Sequence, residues 1–307
     1  MPLYKITDSK LNPLEAKSFK LEIDLQRLID NNLKDLFGID FIKSEFGGQG
    51  LSIDTIAYDP ETKAPVLIEY KRDKQDTVID QGMAYLRWLL EHKGDYRIEL
   101  LEKLGKKDID WSQSRVIFIA RSFNKFHIQA AGYKDLPLEL WEYDWYENYL
   151  YINRIDVAKS DASITSLVKT KEAKEISKEI KSFSVEDHLG NKPKKIKELF
   201  ELFNEGMKSI APDFDLHPVK SYVGYYKGGY NLIELIFQTN QIILNLLRVK
   251  PGELKDPESE MKYINKSIEY YNKAVSNIHI KNDDDVAYAL MLVKRLLDKF
   301  KGKVGNW

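Results

Sequence analysis

The sequence predicts an α/β protein: a mixed sheet flanked by helices, followed by a smaller α+β domain built on an antiparallel meander. Three observations carry this. Along residues 1 to 155 the apolar pattern switches between helical period and period two, in the order α-β-β-β-α-β-α-β-β. Over 156 to 186 the composition turns to Ser, Lys and Glu, with Phe183 the single aromatic, which marks a linker between a domain at 1–155 and another at 187–307. Beyond it, helical patterns enclose three short apolar runs joined by two-residue turns.

Taking the elements in order, Leu21, Leu25, Leu28, Ile29, Leu33 and Leu36 form one amphipathic stripe, and Gly38 stands where a helix-ending residue belongs. Strands are predicted at about 40 to 46, 51 to 58 and 65 to 71, joined by Gly47-Gly48-Gln49-Gly50 and by Asp59 to Ala64. Residues 78 to 91 read as a helix. Val116 to Ala120 is a short continuous apolar run of the kind a buried strand shows. A helix near 124 to 134 and an aromatic hairpin from about 139 to 154 complete the first domain. In the second, a helix spans 192 to 210. Strands follow at 219 to 226, 230 to 238 and 241 to 249, with Gly228-Gly229 and Thr239-Asn240 as turns. Helical patterns near 259 to 274 and 284 to 300 flank a strand at 276 to 281.

Composition limits the chemistry. The chain has 307 residues, 43% apolar and 31% charged, the make-up of a soluble globular protein long enough for two cores. With no cysteine, it can form no disulfide, thiolate zinc site, iron–sulfur cluster or cysteine nucleophile. The five histidines, at 92, 127, 188, 217 and 279, show no metal-ligand spacing. The formal net charge is −1, so no bulk cationic field grips nucleic acid. Residues 1 to 155 hold 22 basic and 26 acidic side chains, leaving the second part mildly basic. The N-terminus lacks the apolar stretch of a secretory signal. No apolar run approaches the ~20 residues of a membrane span, so the expected address is the cytoplasm.

One constellation stands out. In the strand V-L-I-E-Y-K, Glu69 and Lys71 share a face of the sheet because side chains alternate. If this strand and the preceding one form a hairpin centred between Glu61 and Thr62, Asp54 lies opposite Glu69. Cross-strand partners have Cβ atoms about 4.5–5.5 Å apart, so two carboxylates and an ammonium converge. Carboxylates that close repel unless a cation intervenes. The apolar arc of the first helix also contains Glu22, and Gln81 and Tyr85 share a helix face at i, i+4. Three carboxylates suit a hard divalent cation such as Mg²⁺ or Mn²⁺. The plain alternatives are a helix-flank Glu22, packing roles for Gln81 and Tyr85, and a solvated Glu–Lys pair.

In order and spacing, Glu22, Gly50-x-x-x-Asp54, Glu69-x-Lys71 and Gln81-x-x-x-Tyr85 resemble the PD-(D/E)XK restriction-endonuclease-like superfamily, especially the branch similar to the RecB nuclease domain and the archaeal NucS endonuclease. The resemblance covers roughly residues 18 to 120. It implies a restriction-endonuclease-like sheet and a nuclease acting on nucleic acid, DNA in the first instance. It also implies Mg²⁺ or Mn²⁺ held by Glu22, Asp54, Glu69 and the backbone carbonyl of Tyr70. Lys71 would orient or activate water, with Gln81 and Tyr85 supporting the site or touching substrate. The expected partner is nucleic acid, with no membrane; a homodimer stays open. The rival expectation is a binding or regulatory module that keeps the fold without cleaving. This nuclease-like domain is N-terminal, whereas in NucS another domain precedes it. The second half resembles an uncharacterised domain appended to such modules, and a transport label carried by some relatives finds no membrane span here. Away from this set, the Gly-rich loop at 47 to 50 lacks the G-K-[ST] of a phosphate loop and reads as a turn. Trp141, Tyr143, Trp145, Tyr146, Tyr149 and Tyr151 are candidates for base stacking or for core. Lys192, Lys194, Lys195 and Lys197 are candidates for a phosphate contact or a solvated helix face.

Overall fold

The computed structural model describes residues 3–48, 50–71, 78–133, 136–155, 157, 180–227, 230–268 and 273–301. It divides into two units, Met1–Ser182 and Phe183–Trp307. Most of the expected linker, residues 156 and 158–179, lies outside the described residues, as does the expected Gly228-Gly229 turn.

The first unit opens with a two-stranded hairpin, β1 (Tyr4–Thr7) and β2 (Lys10–Pro13), that the apolar pattern does not announce, since all eight residues are exposed. There follow β3 (Ala16–Lys17), α1 (Glu22–Asp30), α2 (Leu33–Phe37), β4 (Asp40–Gly48), β5 (Leu51–Asp59), β6 (Ala64–Lys71), α3 (Val78–Glu91) and α4 (Lys93–Leu104). A 3-10 turn at Trp111–Gln113 then leads into β7 (Arg115–Ala120), α5 (Lys125–Ala131), β8 (Leu138–Tyr146) and β9 (Tyr149–Arg154). The sheet runs β3-β8-β7-β6-β5-β4, with β9 also paired to β8. It is mixed: β6 and β7, and β7 and β8, pair in parallel, and the other pairs are antiparallel.

Burial explains the layering. β6 is buried from end to end, as expected of a central strand with helices on both faces. Val66, Ile68 and Tyr70 pack with Leu25, Ile29, Leu33 and Phe37 of α1 and α2. Leu67 packs on the other side with Tyr85, Leu86 and Leu89 of α3 and with Tyr96 of α4. Period two therefore sends Glu69 and Lys71 toward α3.

Two expectations for this unit need correction. The single helix predicted over the Leu21–Leu36 stripe is two, interrupted at Asn31 and Asn32. The Asn32 amide donates to the Leu28 carbonyl at 2.7 Å, so a side chain competes for the backbone there. Leu21 and Leu28 lie outside the core, and Gly38 ends the second piece in the left-handed region at φ 71°. Helix α4 was not anticipated, because only Tyr96 and Leu100 of its twelve residues are buried and the apolar period is thin.

The second unit carries helices Val185–Leu189, Lys194–Ile210 and Asp283–Phe300. Its antiparallel sheet comprises β10 (Asp215–Pro218), β11 (Val223–Lys227), β12 (Tyr230–Phe237), β13 (Ile242–Leu247), β14 (Lys262–Tyr263) and β15 (Val275–Ile280), in the order β10-β11-β12-β13-β15-β14. The two long helices pack Phe200, Phe203, Met207, Leu292 and Leu296 against Ile233, Leu235, Leu244 and Ile278. The helix expected at 259 to 274 is not one. Lys262–Tyr263 form β14, 267–268 are helical, and 269–272 lie outside the described residues. The Asp256 carboxylate captures the amides of Glu260 and Met261, and positive φ at Ser259 and Lys266 breaks a helical path. Among the described residues no helix is long and apolar enough to cross a membrane.

Candidate active site

The β5–β6 register is the one expected: Thr55 faces Ile68, Ala57 faces Val66 and Asp59 faces Ala64. One step beyond the last regular pair stand Asp54 and Glu69. Here a side chain replaces the ladder, and the Tyr70 amide donates to Asp54 Oδ2 at 2.9 Å. Glu69 is 2% exposed and Lys71 8%. Lys71 Nζ donates to Glu69 Oε1 at 2.5 Å, and Gln81 Nε2 donates to the same oxygen at 2.7 Å. The Tyr85 hydroxyl lies 2.8 Å from Glu69 Oε2 and 3.0 Å from the Ser52 carbonyl, and Gln81 Nε2 donates to it at 2.8 Å. Gln81 and Tyr85 thus meet Glu69 as one group, as their shared helix face requires. Between them in sequence, Gly82 lets α3 lie close on the sheet: a Cβ there would stand 2.9 Å from Leu138 and 3.2 Å from Phe118.

With both acids ionised, Asp54, Glu69 and Lys71 sum to −1 in a largely dry place. Burial, followed by repulsion from Glu69, pushes Asp54 up to about 7, against the opposing pull of the Tyr70 amide and Lys71. Glu22 adds a smaller push, so its charge reaches Asp54. It does not complete a cage: among the described residues no three His, Asp or Glu side chains stand close enough to hold a metal together. Gln81 Oε1, in contrast, is a buried acceptor with no donor among the described residues. An unmatched carboxamide oxygen beside two carboxylates that outnumber the one ammonium described there fits a hard cation that keeps much of its own water.

The sequence reading missed the supports on the other face of the sheet. Asp30 accepts from Tyr70 OH at 2.7 Å, from Thr55 Oγ1 at 2.8 Å and from Ser44 Oγ at 3.0 Å. Gln26, buried in the same helix, donates to the Asp54 carbonyl at 2.7 Å. Glu22, Gln26 and Asp30 recur at i, i+4 and i+8, a polar line beside the buried Leu25 and Ile29. That spacing was the available signal.

Some of the remaining candidates have partners of their own. Trp141, Tyr143 and Tyr146 are core residues, leaving Tyr149 and Tyr151 exposed. Lys194 pairs with Glu198, and Lys197 donates to the Gly190 carbonyl. His92 stacks on Trp88 with ring centroids 4.1 Å apart.

No protein-family model matches the chain. An uncharacterised protein of Haemophilus influenzae is 37% identical over 303 residues, covering 97% of this chain and 99% of that protein. Among solved structures, a repair endonuclease from Pyrococcus abyssi aligns with 40% of this chain and 47% of its own, at 20% identity and a TM-score of 0.26. A structure of an EndoMS–double-stranded DNA complex aligns with 43% of this chain and 51% of that one, at 18% identity and a TM-score of 0.24. The chain thus spans about half the length of these solved chains, and scores this low do not establish a shared fold.

Proposed function

The chain belongs to the same family as the Haemophilus influenzae protein, which matches it along its whole length, and we propose that its first unit is a metal-dependent nuclease hydrolysing phosphodiester bonds of nucleic acid, DNA in the first instance. The observation that carries the reading is the electrostatic meeting of half-buried Asp54 with buried Glu69 and Lys71 at one end of the β5–β6 pair, in the order that resembles the PD-(D/E)XK set. Asp54, Glu69 and the Tyr70 carbonyl would hold Mg²⁺ or Mn²⁺, with Glu22 as the outlying third acid. Such an ion polarises the phosphate and lowers the pKa of the attacking water.

The protein's own groups do the rest. Gln81 and Tyr85 hold the Glu69 carboxylate from two sides, so its free directions are few and its orientation is set before substrate arrives. Lys71, a nearly buried ammonium beside Glu69, stands where it can stabilise charge developing on the phosphate and steer the water's proton. Gln81 Oε1, with no donor among the described residues, has acceptor capacity to spare for water at the site.

One observation favours a second reading, a nucleic-acid-binding or regulatory module that cleaves nothing. Lys71, Gln81 and Tyr85 already engage both oxygens of Glu69, so the protein's own donors satisfy that carboxylate. The two readings part in one assay: incubation of the full chain with labelled DNA and RNA panels in Mg²⁺, Mn²⁺ or chelator. Cleavage that needs the divalent ion supports the nuclease. Binding that chelator leaves unchanged, with no cleavage under any ion, supports the module.

A further inference from the structure

We propose that Asp30 is a positioning residue of this site, acting through the sheet from the face opposite the one toward which Glu69 and Lys71 point; the proposal rests on the nuclease reading. Tyr70 is the link. Its ring lies among the α1-side core and ends on Asp30, while its amide holds the Asp54 carboxylate, and it sits between Glu69 and Lys71 in sequence. Thr55 is the second link, giving its hydroxyl to Asp30 directly after Asp54 in β5. A third hydroxyl, Ser44 of β4, reaches the same carboxylate. One acid at the end of α1 therefore ties three adjacent strands together, and two of its partners, Thr55 and Tyr70, directly follow Asp54 and Glu69 in sequence. Gln26, one turn earlier, adds a bond to the Asp54 carbonyl itself.

An ionised carboxylate can receive all three hydroxyls, whereas an amide presents a donor to at least one of them. Asp30→Asn should then let the 54–55 and 69–71 backbones drift, and a site tuned to ångström precision loses rate before it loses binding. The control lies at the far end of the same strands. Asp59→Asn breaks a buried ion pair with Arg115 but touches nothing at the site.

The experiment compares the two variants in the full chain. Asp30→Asn is expected to lower kcat about tenfold or more with KM within about twofold. Asp59→Asn is expected to lower Tm at least as much while kcat stays within about twofold. Thr55→Val, which removes one hydroxyl at constant shape, should move kcat in the same direction and serves if Asp30→Asn does not fold. A readout independent of cleavage is hydrogen exchange at the Tyr70 amide, expected to quicken about tenfold relative to the Leu67 amide in either site-side variant. Wild-type kcat in Asp30→Asn and Thr55→Val, a kcat loss that merely tracks Tm as in Asp59→Asn, or unchanged Tyr70 exchange overturns the proposal. If the wild type cleaves nothing, the nuclease reading falls and the Tyr70 exchange alone decides whether Asp30 positions the acids.

Discussion

At its turn end, the β5–β6 pair buries Asp59 against Arg115, with Nη1 to Oδ2 at 2.9 Å, and Arg115 also faces Glu139 at 3.0 Å. At its other end, the same pair sets half-buried Asp54 beside buried Glu69, with Lys71 the one ammonium on Glu69 among the described residues. Burial opposes ionisation at both ends, and the outcomes are opposite. Arg115 and the amides of Glu61 and Thr62 hold Asp59 below the ordinary carboxylate range, whereas burial and Glu69 drive Asp54 up to about 7. Buried charge is therefore no mark of function by itself. The mark is burial left short of counter-charge, because only that arrangement gains from an incoming cation.

Breaking the site end should produce the largest effect. Glu69→Gln or Asp54→Ala removes a proposed ligand, and cleavage of labelled DNA in Mn²⁺ should fall by roughly a thousandfold or more, with Mn²⁺ binding weakened in calorimetry. Lys71→Ala should lose turnover to a similar extent yet keep Mn²⁺; loss of both in Lys71→Ala would count against separate roles for the ammonium and the acids. At the other end, Arg115→Ala leaves buried Asp59 without its guanidinium, while half-buried Glu139 keeps Arg154 and the Trp141 indole. It should cost about 3–5 kcal/mol of stability in urea unfolding, with kcat of the folded fraction unchanged.

Asp54→Asn separates the two ends by sign. A carboxyl whose folded pKa is raised binds more protons folded than unfolded, so its native state is favoured below the unfolded pKa and loses that advantage as pH rises through about 7. In metal-free protein at pH 8, Asp54→Asn should accordingly gain about 1–3 kcal/mol, and clearly less at pH 5. A uniform loss across that range would deny the strain. The smallest effect is the proton competing with metal: Mn²⁺ affinity should rise about tenfold from pH 6 to pH 8 and flatten above, and a pH-independent affinity would remove Asp54 from the ligand set.

Most of the site end was legible because it is local. Glu69 and Lys71 follow from strand alternation, Gln81 and Tyr85 from helix spacing, and Asp54 from a register that the turn after Asp59 determines. The Asp30 cluster was harder to see because its partners, Ser44, Thr55 and Tyr70, come from three strands and read as ordinary strand residues. In the fold, the same contrast recurs. Apolar strands and the helix at 78 to 91 were predicted from period alone, while the break at Asn31–Asn32, the thinly apolar α4 and the turn around Asp256 depend on polar side chains capturing backbone or on positive φ. Hydrophobic period carries no trace of such bonds.

The turn between Asp59 and Ala64 has one further consequence. Because β6 alternates its faces residue by residue, gaining or losing a single residue in that turn would slide the strand by one place against β5 and β7. Glu69 and Lys71 would then be thrust among Leu25 and Ile29, and the Tyr70 ring would be thrown into the space that the two acids now share. Relatives descending from a common ancestor can thus drift in nearly every surface loop of this unit, yet the spacing from Asp54 to Glu69 should be inherited without insertion or deletion.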